Sequence, residues 1–177
     1  MLAGATMKLK EETLNMRKLI VAAALAATAI STPALAGDND NFTGVRIGAT
    51  AGVDDVTGSV DTNDVVYGAD VGVDLPVGDN FTAGVEAFST NPFETTRTVG
   101  AAARVGYAFT DSSLAFVRGG YSNYQDVFSR ELDGLTVGAG VELALGETMY
   151  IRPEYRYSDF QNGVGNHGGL VGVGFRF

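Results

Sequence analysis

The chain has 177 residues, 21 acidic against 12 basic side chains, a formal net charge of −9, no cysteine and one histidine. Such an acidic chain has no electrostatic footprint for nucleic acid. Without thiols there are no disulfides, no thiolate catalysis and no Cys-ligated zinc, and a single histidine excludes zinc sites of the two-His kind.

Read from the start, residues 1–36 have the features of an export leader rather than of a fold. Met16-Arg17-Lys18 is a basic front, Leu19 to Ile30 is a short apolar stretch and Ala34-Leu35-Ala36 is a small-residue cleavage signal. The apolar stretch is shorter than the roughly 20 residues a membrane-spanning helix needs. Glu11 and Glu12 do not suit the basic front of a leader, so Met16 is read as the true start and 1–15 as a mis-assigned extension. This leaves 16–36 as signal peptide and 37–177 as the mature domain. From Gly37 onward eight Arg and no Lys stand against nineteen carboxylates, a net charge near −11.

The mature chain repeats with period two. In Val45-Arg46-Ile47-Gly48-Ala49-Thr50-Ala51-Gly52-Val53 each odd position is apolar and each even one is Gly, Thr or Arg, the pattern of a strand with one apolar and one polar face. Seven further segments follow the rule: Val65–Leu75, Phe81–Ala87, Val99–Phe109, Ala115–Tyr121, Leu135–Leu145, Met149–Tyr157 and Gly169–Phe177. Their lengths bracket the 9–11 residues of a tilted membrane strand. No odd position in them is charged. The even face carries Arg46, Arg104, Arg118, Arg152, Arg156 and Arg176 against Asp70, Asp74, Glu86, Glu142 and Glu154, diluted by Gly and Thr.

A soluble sandwich also alternates, but it places large aliphatics in its core and leaves the charged face wet. Here the apolar face is thin at its middle (Ala49, Ala69, Ala101, Ala103, Ala139) and aromatic at its ends. Phe81, Tyr107, Phe109, Phe175 and Phe177 fall at one rim, and Tyr67, Tyr121, Tyr155 and Tyr157 at the other, as two aromatic girdles do. Short connections at 76–80, 110–113 and 146–148 alternate with longer ones at 54–64, 89–98, 122–134 and 158–168, the asymmetry of periplasmic turns and extracellular loops. The expectation is an all-β, closed, eight-stranded antiparallel up-and-down barrel, integral to the outer membrane of a Gram-negative bacterium, with both termini periplasmic and membrane lipid as its first partner.

An eight-stranded barrel is just wide enough for side chains to fill, and buried charges need partners because each costs several kcal/mol when desolvated alone. The eleven even-face charges therefore read as a packed ionic plug with Glu142, Glu154 and Arg152 at its core. Pro153 lacks a donor in mid-strand, which requires a bulge or an unpaired carbonyl. His167, with Ser158 and Asp159 across the same loop, is the one general-base candidate, although its Gly-rich setting fits a solvated loop residue. Asp54, Asp55, Asp61 and Asp64, and the acidic start Asp38 and Asp40, lack the spacing of a calcium loop. No metal or cofactor is called for. Tyr124, Phe128 and Leu132, with Tyr121 among Asp126, Arg130 and Glu131, form the candidate contact surface for an extracellular partner whose identity the sequence does not give.

Phe42-Thr43-Gly44-Val45-Arg46-Ile47-Gly48 opening strand one, Gly138-Ala139-Gly140-Val141-Glu142, Arg152-Pro153-Glu154-Tyr155-Arg156-Tyr157-Ser158 and Val171-Gly172-Val173-Gly174-Phe175-Arg176-Phe177 resemble the small outer-membrane β-barrel proteins of the opacity and OmpA/OmpX-like, porin-family type. The resemblance covers the whole mature chain. It implies an integral outer-membrane protein whose Val171, Val173, Phe175 and Phe177 form the C-terminal signal read by the barrel-assembly machinery. The peptidoglycan-binding module of larger relatives is expected to be absent, because the chain stops at Phe177. The preferred function is a non-enzymatic structural or surface-interaction barrel, serving adhesion or protection through its loops. A narrow porin-like channel is the alternative and a membrane-embedded lipid hydrolase the minor one.

Overall fold

The computed structural model describes residues 40–57, 62–91, 97–125, 131–160 and 164–177. A 3-10 turn, Asp40–Phe42, precedes eight strands: β1 (Gly44–Thr57), β2 (Thr62–Val77), β3 (Phe81–Thr90), β4 (Arg97–Thr110), β5 (Ser113–Gln125), β6 (Glu131–Leu145), β7 (Met149–Phe160) and β8 (Val164–Arg176). Each pairs antiparallel with its neighbour in sequence, and β8 pairs with β1 to close the barrel. Closure leaves no sheet edge, so each strand has a partner strand on both sides, as backbone groups inside a membrane require.

The two faces are set by parity, as the alternation predicts. Ile47, Val85, Val105, Val117, Val137 and Val173 are exposed on the outside, and even-numbered Arg46, Thr82, Arg104, Thr136, Glu142 and Arg152 are buried inside. The aromatics of both rims are exposed on the outer face, where Phe81 and Tyr107 stack with centroids 4.9 Å apart. Val73 departs from this pattern: it is buried on the outward face, flanked in register by Val45 and Val85.

The strands run further than hydropathy shows. The expected long connections at 54–64, 122–134 and 158–168 are largely ladder, with Asp54–Val56 pairing Thr62–Asp64 and Tyr124 pairing Leu132, while 89–98 is strand only at its two ends among the described residues. Fourteen residues, as in β1, extend about 46 Å and rise roughly 35 Å at a tilt near 40°. The apolar band is only about 25 Å tall, so the barrel wall stands well clear of the membrane. Polar side chains suffice there because the main chain carries the pairing, and apolar alternation marks only the part in lipid. Gly78 and Gly146, both at positive φ, form the short turns after β2 and β6 at the end that carries the termini.

Pro153 lies on the outward face and pairs with Val171 of β8. On the other side the β6–β7 ladder lapses at Val141 and Glu142 and resumes at Leu143 in unchanged register. No residue is inserted, so of the two expected solutions the structure uses a gap in the ladder rather than a bulge.

Candidate functional site

The eleven predicted lumen charges converge inside the barrel, and ion pairs within 4 Å join all of them. Arg46, fully buried, reaches Asp70 at 2.9 Å, Asp74 at 3.0 Å and Glu86. Toward the terminal end, Asp74 and Glu142 share Arg104 (3.6 and 2.8 Å) and Arg176 (3.1 and 2.6 Å). Toward the other end, Arg152 contacts Asp70 at 2.8 Å and Glu154 at 3.6 Å. Glu86 meets Arg118, and Glu154 meets Arg118 at 3.3 Å and Arg156 at 3.0 Å. Among the described residues Arg46 alone links the two halves, so the hub is Arg46 rather than the expected trio of Glu142, Glu154 and Arg152, each of which serves one half.

Glycine makes room for this packing. A Cβ at Gly72 would lie 2.9 Å from an Arg46 guanidinium nitrogen and 2.8 Å from the Val85 carbonyl, closer than real contacts allow.

Inward aromatics, which a reading of the even face as purely ionic overlooks, complete the filling. Arg104 stacks over Phe116 at 4.1 Å, and Arg118 and Arg156 over Phe88 at 4.3 and 4.8 Å. Each ring covers a guanidinium face that no carboxylate can reach, at a gain of about 0.5–2 kcal/mol. The signal was present in the even numbers of Phe88, Phe116 and Tyr150. At the terminal end Phe42, Ala108, Leu114 and Phe116 form a buried apolar cluster. Phe42 therefore belongs to the lumen and does not open strand one, which begins at Gly44.

At the opposite mouth, Tyr124 packs on Phe160 with ring centroids 5.5 Å apart. Tyr124 and its register partner Leu132 are therefore strand residues over the mouth and not an outward loop surface; Phe128 lies outside the described residues. Below them Asp54, Phe88, Thr90, Arg156, Ser158 and Phe160 line a small polar crevice. Asn166 donates to the inward Asp54 at 3.1 Å, while Asp55, next in the chain, lies on the outward face 3.8 Å from His167.

Parity also separates His167 from Ser158. Ser158 is buried inside, its hydroxyl 2.8 Å from that of Thr136, whereas His167 lies outside near the Tyr155 ring. The barrel wall stands between the two residues, so His167, Ser158 and Asp159 do not form a nucleophile–base–acid set. Val171, Val173, Phe175 and Phe177 all face outward and are exposed. The Phe177 main chain closes the seam through Val45 N to Phe177 O at 3.0 Å and Phe177 N to Val45 O at 2.8 Å.

The model of the outer membrane protein beta-barrel domain matches residues 22–177. No curated protein matches the chain. Among solved structures the fold is similar to Ail, the attachment invasion locus protein of Yersinia pestis, determined in complex with the heparin analogue sucrose octasulfate. The TM-score is 0.59 at 15% identity over 75% of this chain and 97% of Ail. Neisserial surface protein A gives 0.57 at 15% identity, over 76% of this chain and 98% of that one. The outer membrane enzyme PagL gives 0.53 at 15%, over 75% and 99%. At these identities the likeness is one of fold. With an apolar outer face, a closed ring of eight antiparallel strands and a family model that matches nearly the whole length, the chain belongs to the outer membrane protein β-barrel domain family and is an integral protein of the Gram-negative outer membrane.

Proposed function

We propose that this protein is a non-enzymatic structural or surface-interaction barrel whose lumen passes no solute and whose exposed outer end carries its role in adhesion or protection. The observation that carries this reading is how much of the lumen the described side chains occupy: an apolar cluster around Phe42 and Leu114, one connected set of eleven charges, and Tyr124 on Phe160 above the small crevice at the far mouth. An ion entering this path would have to displace buried pairs that cost several kcal/mol each to separate. A barrel wall that rises above the membrane suits a platform for contacts outside the cell. The exposure of Val171, Val173, Phe175 and Phe177 supports their role as the C-terminal signal read by the assembly machinery, after export and removal of residues 16–36.

Planar-bilayer recording of the purified barrel tests the closed lumen. The expected result is a membrane without steady conductance. A channel that stayed open and scaled with salt would establish the porin-like alternative. The separation of His167 from Ser158 argues against lipid hydrolysis, and expression of His167→Ala is expected to leave the lipid composition of the cells the same as with the wild-type chain.

A further inference from the structure

The residues before β1 turn back into the barrel at the end that carries both termini. Asp40–Phe42 form a 3-10 turn, Phe42 is 1% exposed, and its neighbours Ala108, Leu114 and Phe116 come from β4 and β5. These strands lie across the ring from β1. Asn41 Nδ2 donates to the carbonyl of Asp111 in the β4–β5 turn at 2.8 Å, so the segment spans the mouth and is fastened on its far side. Gly44 makes the bend with φ of 101°, and a Cβ there would collide with the carbonyl oxygen of Phe177. The hinge thus lies against the β1–β8 seam, beside the Val45–Phe177 hydrogen bonds.

We propose that residues 40–42 are a stopper that seats only after the seam has closed and so locks the completed barrel. Distance favours this order. In an unclosed sheet with strands about 4.8 Å apart, β1 and β5 are separated by roughly 19 Å. The two residues from Gly44 to Phe42 span at most about 7 Å. Phe42 therefore reaches Leu114 only when the sheet has curled far enough to bring β1 opposite β5, the geometry that pairing of β8 with β1 fixes. Contacts formed this late are absent from the folding transition state, so they slow unfolding and leave the folding rate alone.

The test uses the chain from Gly37 onward, folded into detergent micelles, with folding and unfolding rates followed by the mobility difference between folded and unfolded chain on gels. Phe42→Ala is expected to speed unfolding on the order of 1,000-fold, the rate equivalent of a typical buried Phe truncation, and to change folding less than about threefold. Phe42→Leu is expected to restore most of the loss. The chain has no cysteine, so Phe42→Cys supplies a unique thiol. That thiol is expected to be shielded from a bulky water-soluble maleimide in the folded barrel and to react once Val45→Pro, which removes a seam donor, is added. Slower folding of Phe42→Ala with unchanged unfolding, or equal labelling in the closed and seam-broken barrels, would overturn the stopper.

Discussion

Arg46 offers the most direct test of the lumen. It is fully buried, it holds Asp70, Asp74 and Glu86 at once, and among the described residues it is the one bridge between the two halves of the charge network. Arg46→Met keeps most of the volume and removes the charge. Asp74 retains Arg104 and Arg176, Asp70 retains Arg152, and Glu86 retains Arg118. No carboxylate is wholly abandoned, but each loses a charge-assisted bond in a space where water cannot replace it. Removing one partner of a buried pair typically costs about 3–5 kcal/mol. With a urea dependence near 2 kcal/mol per M, the unfolding midpoint falls by roughly 2 M. Arg97→Met is the control, because Arg97 is an exposed cation at the start of β4, and a surface change of this kind shifts stability by less than about 0.5 kcal/mol. Arg46→Lys keeps the charge but lacks the planar fork and recovers only part of the loss. Midpoints that coincide for Arg46→Met and Arg97→Met would refute the view that the network is what fills and holds the lumen.

Other positions give independent outcomes. Pro153→Val supplies the missing donor where the β6–β7 ladder lapses and keeps an apolar outward side chain, so urea titration should show a gain of about 0.5–1.5 kcal/mol. Gly72→Ala forces its methyl against Arg46 and the Val85 carbonyl, and the same titration should show a loss of about 1–3 kcal/mol. Phe177→Ser leaves the main-chain bonds to Val45 in place, so the purified barrel should match the wild type in stability while the amount inserted in cell envelopes falls sharply. Equal losses in both measurements would assign Phe177 a packing role and not a signalling one.

Parity, in strands that pair through their main chains, is the physical property that made most of this protein legible in one dimension. A side chain's odd or even number within an alternating segment decides which face it occupies, so strand number, topology, the rim aromatics and the membership of the ionic set are all legible between Val45 and Phe177 in the sequence itself. The same rule, applied to Phe88, Phe116 and Tyr150, would have placed rings among the arginines, and applied to Ser158 and His167 it would have separated them. What parity does not carry is distance across the lumen. That Arg46 bridges the two halves, that Tyr124 caps Phe160, and that Phe42 crosses the mouth to Leu114 are contacts between strands far apart in the ring. Their geometry is fixed by the curl and stagger of the closed sheet. The outer limits of the strands were equally hidden, because beyond the lipid the ladder continues on backbone hydrogen bonds alone and side-chain hydropathy ceases to mark it.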